Sequence, residues 1–350
     1  MAVTITQRTR RVTSRDVARL AGVSATTVSF VINDVPGVSI PEETRRRVHH
    51  AIAQLDYHPN EAARSMGRRA SRALGLVIPE SVNPHYMEIA AGAEAYAERH
   101  GYEVALSITN FDLRRERRSL GWLKQQRCDA LIVALAHNDA LLDDLRALCH
   151  QGYPVTTLGF HDEVMDSVGP EREIGERLIL THLVEFGHRR VGYIHGAFTH
   201  DSPRDRLSTC LTIQRDLGVP VNDAWVRRCG PTQDDGYQAT RQLLAACAGG
   251  ERPTALVVVN DYIALSVLAA LHEARVAVPD DMSVVSFDNT CLARYAVPAL
   301  TSIDHHAHAL GEQAAHLSIE RIAAPHRVPV HLGTRAQLFA RASSGSASPL

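Results

Sequence analysis

The sequence predicts a small all-α head followed by a larger α/β body of two lobes built on parallel sheets. Three observations predict it. Residues 12–58 hold three short helical patterns joined by brief connectors. From Leu74 the pattern changes to short apolar runs alternating with longer helical stretches, and the alternation comes as two successive series. Charge divides along the same line: residues 1–72 carry 12 Arg against 6 acidic residues, whereas the remainder carries 25 basic and 33 acidic residues, within a net charge of -2. A basic head on an acidic body points to a polyanion as the partner of the head alone.

The elements follow in order. SRDVARLAG reads as a first helix, with Ser14 as N-cap, Val17, Ala18 and Leu20 as its apolar stripe and Gly22 as terminator. SATTVSFVIND reads as a second, capped by Ser24. Only Gly22 to Ser24 separate the two, which is helix-turn-helix spacing. SIPEETRRRVHHAIAQLDY reads as a third, with Ser39 as N-cap, Pro41, Glu42 and Glu43 in its first turn, and Val48, Ile52 and Leu55 facing the core. Pro59 then breaks the pattern, and Asn60 can cap a short further helix within a basic connector.

In the body, LGLVIP, EVALSIT and ALIVAL read as strands separated by NPHYMEIAAGAEAYAERHG and RRERRSLGWLKQQRC as helices. VGYIHG, TALVVVN and SVVSFDN continue as a second series, after a helix over Leu178 to Phe186. Two doubly wound lobes result, whose ligand belongs at the carboxyl ends of the strands. The tail at 343–350 reads as disordered.

Composition excludes several classes. A hydrophobic share of 45% with 22% charged residues is that of a soluble chain, and no apolar run has the length of a signal peptide or membrane span. Cytoplasmic, nucleoid-associated residence is the expectation. Cys128, Cys149, Cys210, Cys229, Cys247 and Cys291 show no CxxC spacing and read as reduced thiols. Phosphate-loop, dinucleotide, HExxH and GxSxG patterns are missing, so no enzyme and no cofactor is expected. Asp304, His305, His306 and His308 invite a metal reading, but no second ligand cluster matches them; they read as solvated or lobe-crossing histidines, with no metal. Asp143 with Asp144, and Asp280 with Asp281, read as surface pairs.

The second helix carries the most chemistry. Val28, Val31 and Ile32 fall at spacings of three and four and face the other helices, leaving Ala25, Thr26, Ser29 and Phe30 on the opposite side. That side lacks long charged side chains, a profile suited to a major groove about 12 Å wide. The helix end capped by Ser24 is positive and suits a backbone phosphate.

These residues closely resemble the LacI (lactose repressor) family of bacterial transcriptional regulators over roughly residues 12–340. DVARLAGVSATTVSFVIN, VSIPEETRRRV and LDYHPNEAARSM follow the family's order and spacing in the head. NPHYMEIAAGAE, HLVEFGHRRVGYI, VVNDYIALSVLAAL, VPDDMSVVSFDN and PALTSI match landmarks of its ligand-binding body. The resemblance implies a helix-turn-helix domain at 12–58, a hinge helix and linker at 59–72, and a periplasmic-binding-protein-like effector and dimerisation domain at 73–342. Its N-lobe is expected over about 73–160 and 303–323, and its C-lobe over about 161–300 and 326–342.

The resemblance also implies roles. Ala25, Thr26 and Phe30 would read base edges; Thr27 and Ser29 would approach the DNA backbone, and Ser14 and Asn33 join them as DNA-binding candidates. Asn60 would cap the hinge helix, on which Ala63, a further DNA-binding candidate, precedes Met66, the wedge into the minor groove at the operator centre. Phe30 stands where the family commonly places arginine; it either packs on a thymine methyl or fills the core. In the body, Arg206 and Asp261 would hold effector hydroxyls as forked donor and double acceptor, unless Asp261 merely caps its helix. Asn83, His85, Tyr86 and Asp288 complete the effector candidates.

Departures from the family pattern are Glu171 and Arg172 before Gly175, Ser286 before the FD pair, and Thr209 and Cys210 after Arg206. The expected function is a homodimeric repressor of a palindromic double-stranded DNA operator, controlled by a small molecule, a carbohydrate or related polyol. A corepressor-dependent repressor or an activator is the alternative; a sugar-binding transport protein or an enzyme is the rival from outside the class.

Overall fold

The computed structural model describes residues 12–33, 38–57, 71–125, 128–196 and 206–347. It divides into two compact units, Met1–Ser71 and Arg72–Leu350.

The first unit holds α1 (Ser14–Ala21), α2 (Ala25–Asn33) and α3 (Glu42–Gln54). Its core is Val17, Ala18, Ala21, Val28, Val31, Val48 and Ala51, with Ile32, Ile52 and Leu55 packed at its edge. Leu20, expected in the stripe, is exposed, and Ala21 takes the inward place. Two caps also differ from expectation. Thr13, not Ser14, precedes α1: its backbone N–H and hydroxyl both donate to Asp16, at 3.0 and 2.7 Å, the carboxylate three residues on being long enough to reach back. Ser14 is therefore the first helical residue. Pro41, not Ser39, precedes α3, and its carbonyl accepts from Thr44 and Arg45 at 2.9 and 3.1 Å. Proline already holds φ at -55°, so the helix begins beside it rather than two residues earlier. Gly22 ends α1 at φ 65°, a left-handed conformation that a side chain would resist.

The second unit contains two six-stranded sheets. In the first lobe the order is β11-β5-β4-β3-β1-β2, using β1 (Ala73–Ile78), β2 (Glu103–Ile108), β3 (Ala130–Val133), β4 (Val155–Leu158), β5 (Asp166–Pro170) and β11 (His331–Thr334), with every neighbouring pair parallel. The second lobe has the order β12-β10-β9-β8-β6-β7, with β6 (Val191–Gly196), β7 (Val226–Cys229), β8 (Ala255–Val258), β9 (Ser283–Phe287), β10 (Thr301–Asp304) and β12 (Gln337–Phe339). Only the β10–β12 pair among these is antiparallel. Helices α4 (Pro84–Arg99), α5 (Leu113–Gln125) and α6 (Asn138–His150) follow strands of the first lobe. Helices α7 (Arg172–Glu185), α8 (Arg206–Asp216), α9 (Gln233–Ala246), α10 (Asp261–Glu273) and α11 (Cys291–Tyr295) belong to the second, and α12 (Ala307–Ala323) returns to the first.

The lobe boundaries differ from those read in the sequence. β5 keeps residues up to Pro170 in the first lobe, where a crossing at 161 was expected, and β10 lies in the second lobe up to Asp304. β11 belongs to the first lobe, so the last crossing falls between Thr334 and Gln337 rather than near 326. Short strands such as DSVGP and HLGT are edge elements whose sheet is set by pairing partners, not by their own pattern.

Two devices fix the first lobe around its cleft. α4 and α12 cross at Gly92 and Gly311, where an added Cβ would lie 1.9 Å from the carbonyl oxygens of His308 and Ile89. The helices pack backbone to backbone there. Asp166 is fully buried and accepts from Arg321 Nε and Nη2 at 2.9 and 2.7 Å, from Arg327 Nη1 and Nη2 at 2.9 Å each, and from the Val330 N–H at 2.8 Å. That carboxylate ties the end of α12 and the approach to β11 onto β5.

The C-terminal segment corrects a further expectation. Ser343 is fully buried, its hydroxyl donating to Val284 O at 2.6 Å and accepting from Thr301 N at 2.8 Å. Ser344 meets His182 Nε2 at 2.8 Å, Gly345 O lies 3.0 Å from His188 Nε2, and Ala347 N donates to Phe186 O at 2.8 Å. Over 343–347, small polar residues composed like a tail are an ordered strap on the second lobe, and residues 348–350 lie outside the described part. No described helix is long and apolar enough to cross a membrane.

Candidate ligand cleft and candidate nucleic-acid interface

In the head, Ser24 caps α2: its Oγ accepts from Thr27 N at 3.0 Å and lies 2.9 Å from Thr27 Oγ1. Ala25, Thr26 and Ser29 are exposed, and Thr27 and Phe30 are half-buried. Phe30 lies outside the cluster formed by Val28 and Val31, so α2 keeps an outer face of small residues with one aromatic ring. Ser14 is half-buried at the start of α1. Asn33 closes α2, and its side chain lies outside the described part, as do Asn60, Ala63 and Met66.

In the body, a cavity of about 800 Å³ opens at the carboxyl ends of the strands and draws its walls from both lobes. Asn83 positions the first wall. It is buried, precedes Pro84, and its Oδ1 accepts from His85 N at 3.1 Å, which starts α4 and sets His85 and Tyr86 on the cavity. Their rings meet edge to face with centroids 5.3 Å apart. Burial, reinforced by the charges of Asp288 and Glu80, pushes the Tyr86 phenol well above its ordinary value. Burial likewise raises Glu80 to about 7, against the hydrogen bond from Asn83 and with the help of Asp288.

The opposite wall is built on Arg206. Its Nη1 donates to the carbonyl of Val259, its Nε lies 3.3 Å from Glu176 Oε1, and its guanidinium stands 4.2 Å above the centre of the Phe287 ring. Glu176 is fully buried; desolvation raises its carboxyl and the Arg206 and Arg172 charges pull it back. Arg206 is thus held on three sides as it lines the cavity. Asp288 approaches from the end of β9 in a turn where Asp288 has φ 100° and Asn289 φ 49°. The turn is retained by its surroundings: Asn289 N donates to Ser302 Oγ at 3.0 Å and Asn289 Nδ2 to Asp304 at 3.0 Å.

Asp261 behaves otherwise than expected. It is fully buried and does not line the cavity. Its carboxylate accepts from the Ser286 hydroxyl, from Ser302 Oγ at 2.7 Å, and from Thr290 N and Oγ1 at 2.7 and 3.0 Å. Nor is it the cap of α10, since Asn260 Oδ1 accepts from Ile263 N at 2.9 Å. Every acceptor position of Asp261 is spent joining β9, β10 and the start of α11, and burial beside Asp288 raises its carboxyl to about 7. Its neighbour Asn260 is the residue that reaches the cavity.

Of the effector candidates, the structure brings Asn83, His85, Tyr86, Arg206 and Asp288 to one cavity and leaves Asp261 behind its wall. It adds three residues. Arg172 lines the cavity and donates to Gly159 O at 3.1 Å. Asn260 precedes the aspartate that the motif suggested. His305 is 1% exposed yet lines the cavity, its ring parallel to Phe287 at 6.1 Å. The first was visible only as a departure from a pattern, and the last only as one histidine of a run. Among the described residues no group of three or more His, Cys, Asp or Glu is arranged to hold a metal ion.

Comparison with known proteins agrees with both regions. Residues 13–60 match the family described as bacterial regulatory proteins, lacI family, and residues 180–344 match the periplasmic binding protein-like domain. The chain is 32% identical over 312 residues to the HTH-type transcriptional repressor PurR of Photobacterium profundum, covering 89% of this chain and 92% of that protein. The PurR repressor of Mannheimia succiniciproducens has the same identity and coverage. Among solved structures, a lac repressor dimer bound to operator and the anti-inducer ONPF is similar with a TM-score of 0.84 at 26% identity, covering 96% of this chain and all of that one. A complex of the transcriptional regulator CelR with cellobiose is similar with a TM-score of 0.70 at 28% identity, covering 95% of this chain and 100% of that one.

Proposed function

The chain belongs to the lacI family of bacterial regulatory proteins, as a DNA-binding transcriptional repressor, and from that premise we propose that a hydroxyl-bearing small molecule bound in the cleft sets its affinity for the operator. The observation that carries the proposal is the pairing of Arg206 and Asp288 on one wall of the 800 Å³ cavity, a fixed forked donor and a fixed acceptor. Adjacent hydroxyls of a carbohydrate or related polyol satisfy such a pair.

The head does the reading. α2 enters the major groove of one half-site with Ala25, Thr26 and Phe30 toward base edges, while Thr27 and Ser29, with Ser14 and Asn33 beside them, meet the DNA backbone. The positive end of α2, capped by Ser24, faces a phosphate. Segment 59–72 acts as the hinge helix and linker, with Asn60 as cap and Ala63 and Met66 at the operator centre. A homodimer presents two heads to a palindromic site, and Arg45, Arg46 and Arg47 add phosphate contacts that weaken with salt.

Control follows from linkage. A ligand bridging the walls favours one degree of lobe closure, and whichever closure also favours operator binding is changed in population by the same free energy. Release of DNA on binding is the first reading. Promotion of DNA binding is the second, favoured by the similar lac repressor complex in which operator and ligand are bound together.

A thermal-shift screen of the full chain against sugars, sugar phosphates and nucleosides tests the proposal, because a ligand of the native state raises its stability with saturation. A gel shift with the hit then gives the sign. Stabilisation by a sugar that Arg206→Ala abolishes is the expected result; a screen in which every compound leaves the wild-type midpoint unmoved overturns it.

A further inference from the structure

His305 has the least satisfied side chain in the cleft. Its ring is 1% exposed and neither Nδ1 nor Nε2 has a hydrogen-bond partner, although a buried imidazole normally finds one for each nitrogen. The ring cannot turn away to find one. One edge abuts Gly175, where even a Cβ would lie 2.9 Å from His305 Cε1, and Phe287 lies parallel to it. The open direction is the cavity, which the residue lines.

Its backbone position is as specific as its side chain. Among the described residues the chain crosses between lobes three times, and His305 touches all three passages. It sits in the second, between β10 and α12, followed by His306 at φ 56°. Gly175, from the first turn of the helix after the first passage, is the wall beside its ring. Thr334, the last residue before the third passage, donates its hydroxyl to His305 O at 2.8 Å. A hydrogen bond formed to this ring is therefore formed at the place where the lobes turn on one another.

The surroundings decide which form of the ring is presented. Desolvation, with the positive charges of Arg206 and Arg172 and the imidazoles of His85 and His306, holds its pKa well below the ordinary histidine value. The neutral ring has one N–H and one bare nitrogen, and either tautomer is open to it because no protein group has claimed a side.

We propose that His305 is a ligand-binding residue of the cleft, taking an uncharged group that both donates and accepts, such as a hydroxyl, and fixing the hinge when it does so. The inference rests on the cleft reading above and deepens it: Arg206 and Asp288 hold the polar rim of the ligand while His305 holds the group nearest the hinge. A ligand lacking that group leaves both buried nitrogens unpaired where a bound hydroxyl pairs one of them, so it binds weakly and transmits little.

The test uses the full chain and three variants, His305→Phe, His305→Gln and Arg206→Ala, with D-ribose, cellobiose and adenosine as calorimetric probes. His305→Phe keeps an aromatic ring beside Phe287 and removes both nitrogens; His305→Gln restores a donor and an acceptor. The expected result is that the probe bound by the wild type loses affinity by about tenfold or more in His305→Phe and recovers to within about threefold in His305→Gln. The factor by which that probe changes operator affinity should fall toward one in the Phe variant. Wild-type affinity in His305→Phe, with Arg206→Ala still losing the probe, overturns the role of His305 and leaves the cleft reading standing. Failure of all three probes to bind the wild type overturns the cleft reading, and this inference with it.

Discussion

His85 and Asp288 face each other across the cleft, Nδ1 to Oδ1 at 3.5 Å, one from each lobe and both mostly buried. One stands in the first turn of α4 and the other in a turn after β9, so the separation of these two atoms reports lobe closure directly. A double-mutant cycle on unfolding, with His85→Ala and Asp288→Ala, should return a coupling of about 0.5–1 kcal/mol. Additive single effects would show that the lobes do not hold each other through this pair.

The outer face of α2 sets base preference, and Phe30 is its one large side chain. Phe30→Arg should move preference at one symmetric operator pair toward G·C by roughly 1–3 kcal/mol, since arginine reaches guanine O6 and N7 together where a phenyl ring meets a thymine methyl. Operator selection with randomised half-sites measures the shift. An unchanged profile with lowered stability would instead place the ring in the core.

Asp261 joins three elements through four accepted hydrogen bonds. Asp261→Ala strands four buried donors and frees the turn that carries Asp288, so the expected cost is about 3–5 kcal/mol in urea unfolding. Asp261→Asn keeps two acceptor positions and should cost less. Equal costs would mean that the shape of the side chain, not its acceptors, holds the site.

The C-terminal strap predicts a pH effect with a definite sign. His188 is buried against Thr254, Ser283 and Gly345, and desolvation lowers its pKa below the ordinary 6.5; burial does the same to His182, beside Ser344. Just below pH 6.5 the unfolded chain binds more protons than the native one. The stability these residues contribute is therefore full above pH 6.5 and lost as pH falls toward their native values. Removing residues 343–350 should destabilise the body by about 2–3 kcal/mol and flatten its loss of stability between pH 7 and pH 5, followed by urea midpoints. A truncated chain as stable as the full one would show that the strap is idle.

Legibility differed between regions for a physical reason. α1 and α2 were readable because a terminating glycine, a capping serine and a stripe of Val28, Val31 and Ile32 are local signals, complete within a few residues. The central strands β1, β3, β6, β8 and β9 were readable because parallel strands covered on both faces are continuous apolar runs. Caps slipped by one or two residues at Thr13 and Pro41, where neighbours compete for the same role.

What the sequence by itself determined is therefore the three head helices, the central parallel strands with some of the helices between them, the division into a basic head and an acidic two-lobed body, and five residues that reach the cleft. What only the tertiary structure decided is which polar groups remain available there. Asn260 and Asp261 are adjacent in the chain, yet one lines the cavity while the other is consumed by Ser286, Thr290 and Ser302, residues 25 to 41 positions away. His305 and His306 are likewise adjacent, yet only the first is enclosed by Phe287 and Gly175 with its nitrogens unclaimed. Hydrogen-bond satisfaction depends on partners brought from distant segments, and no local pattern of residues carries that information.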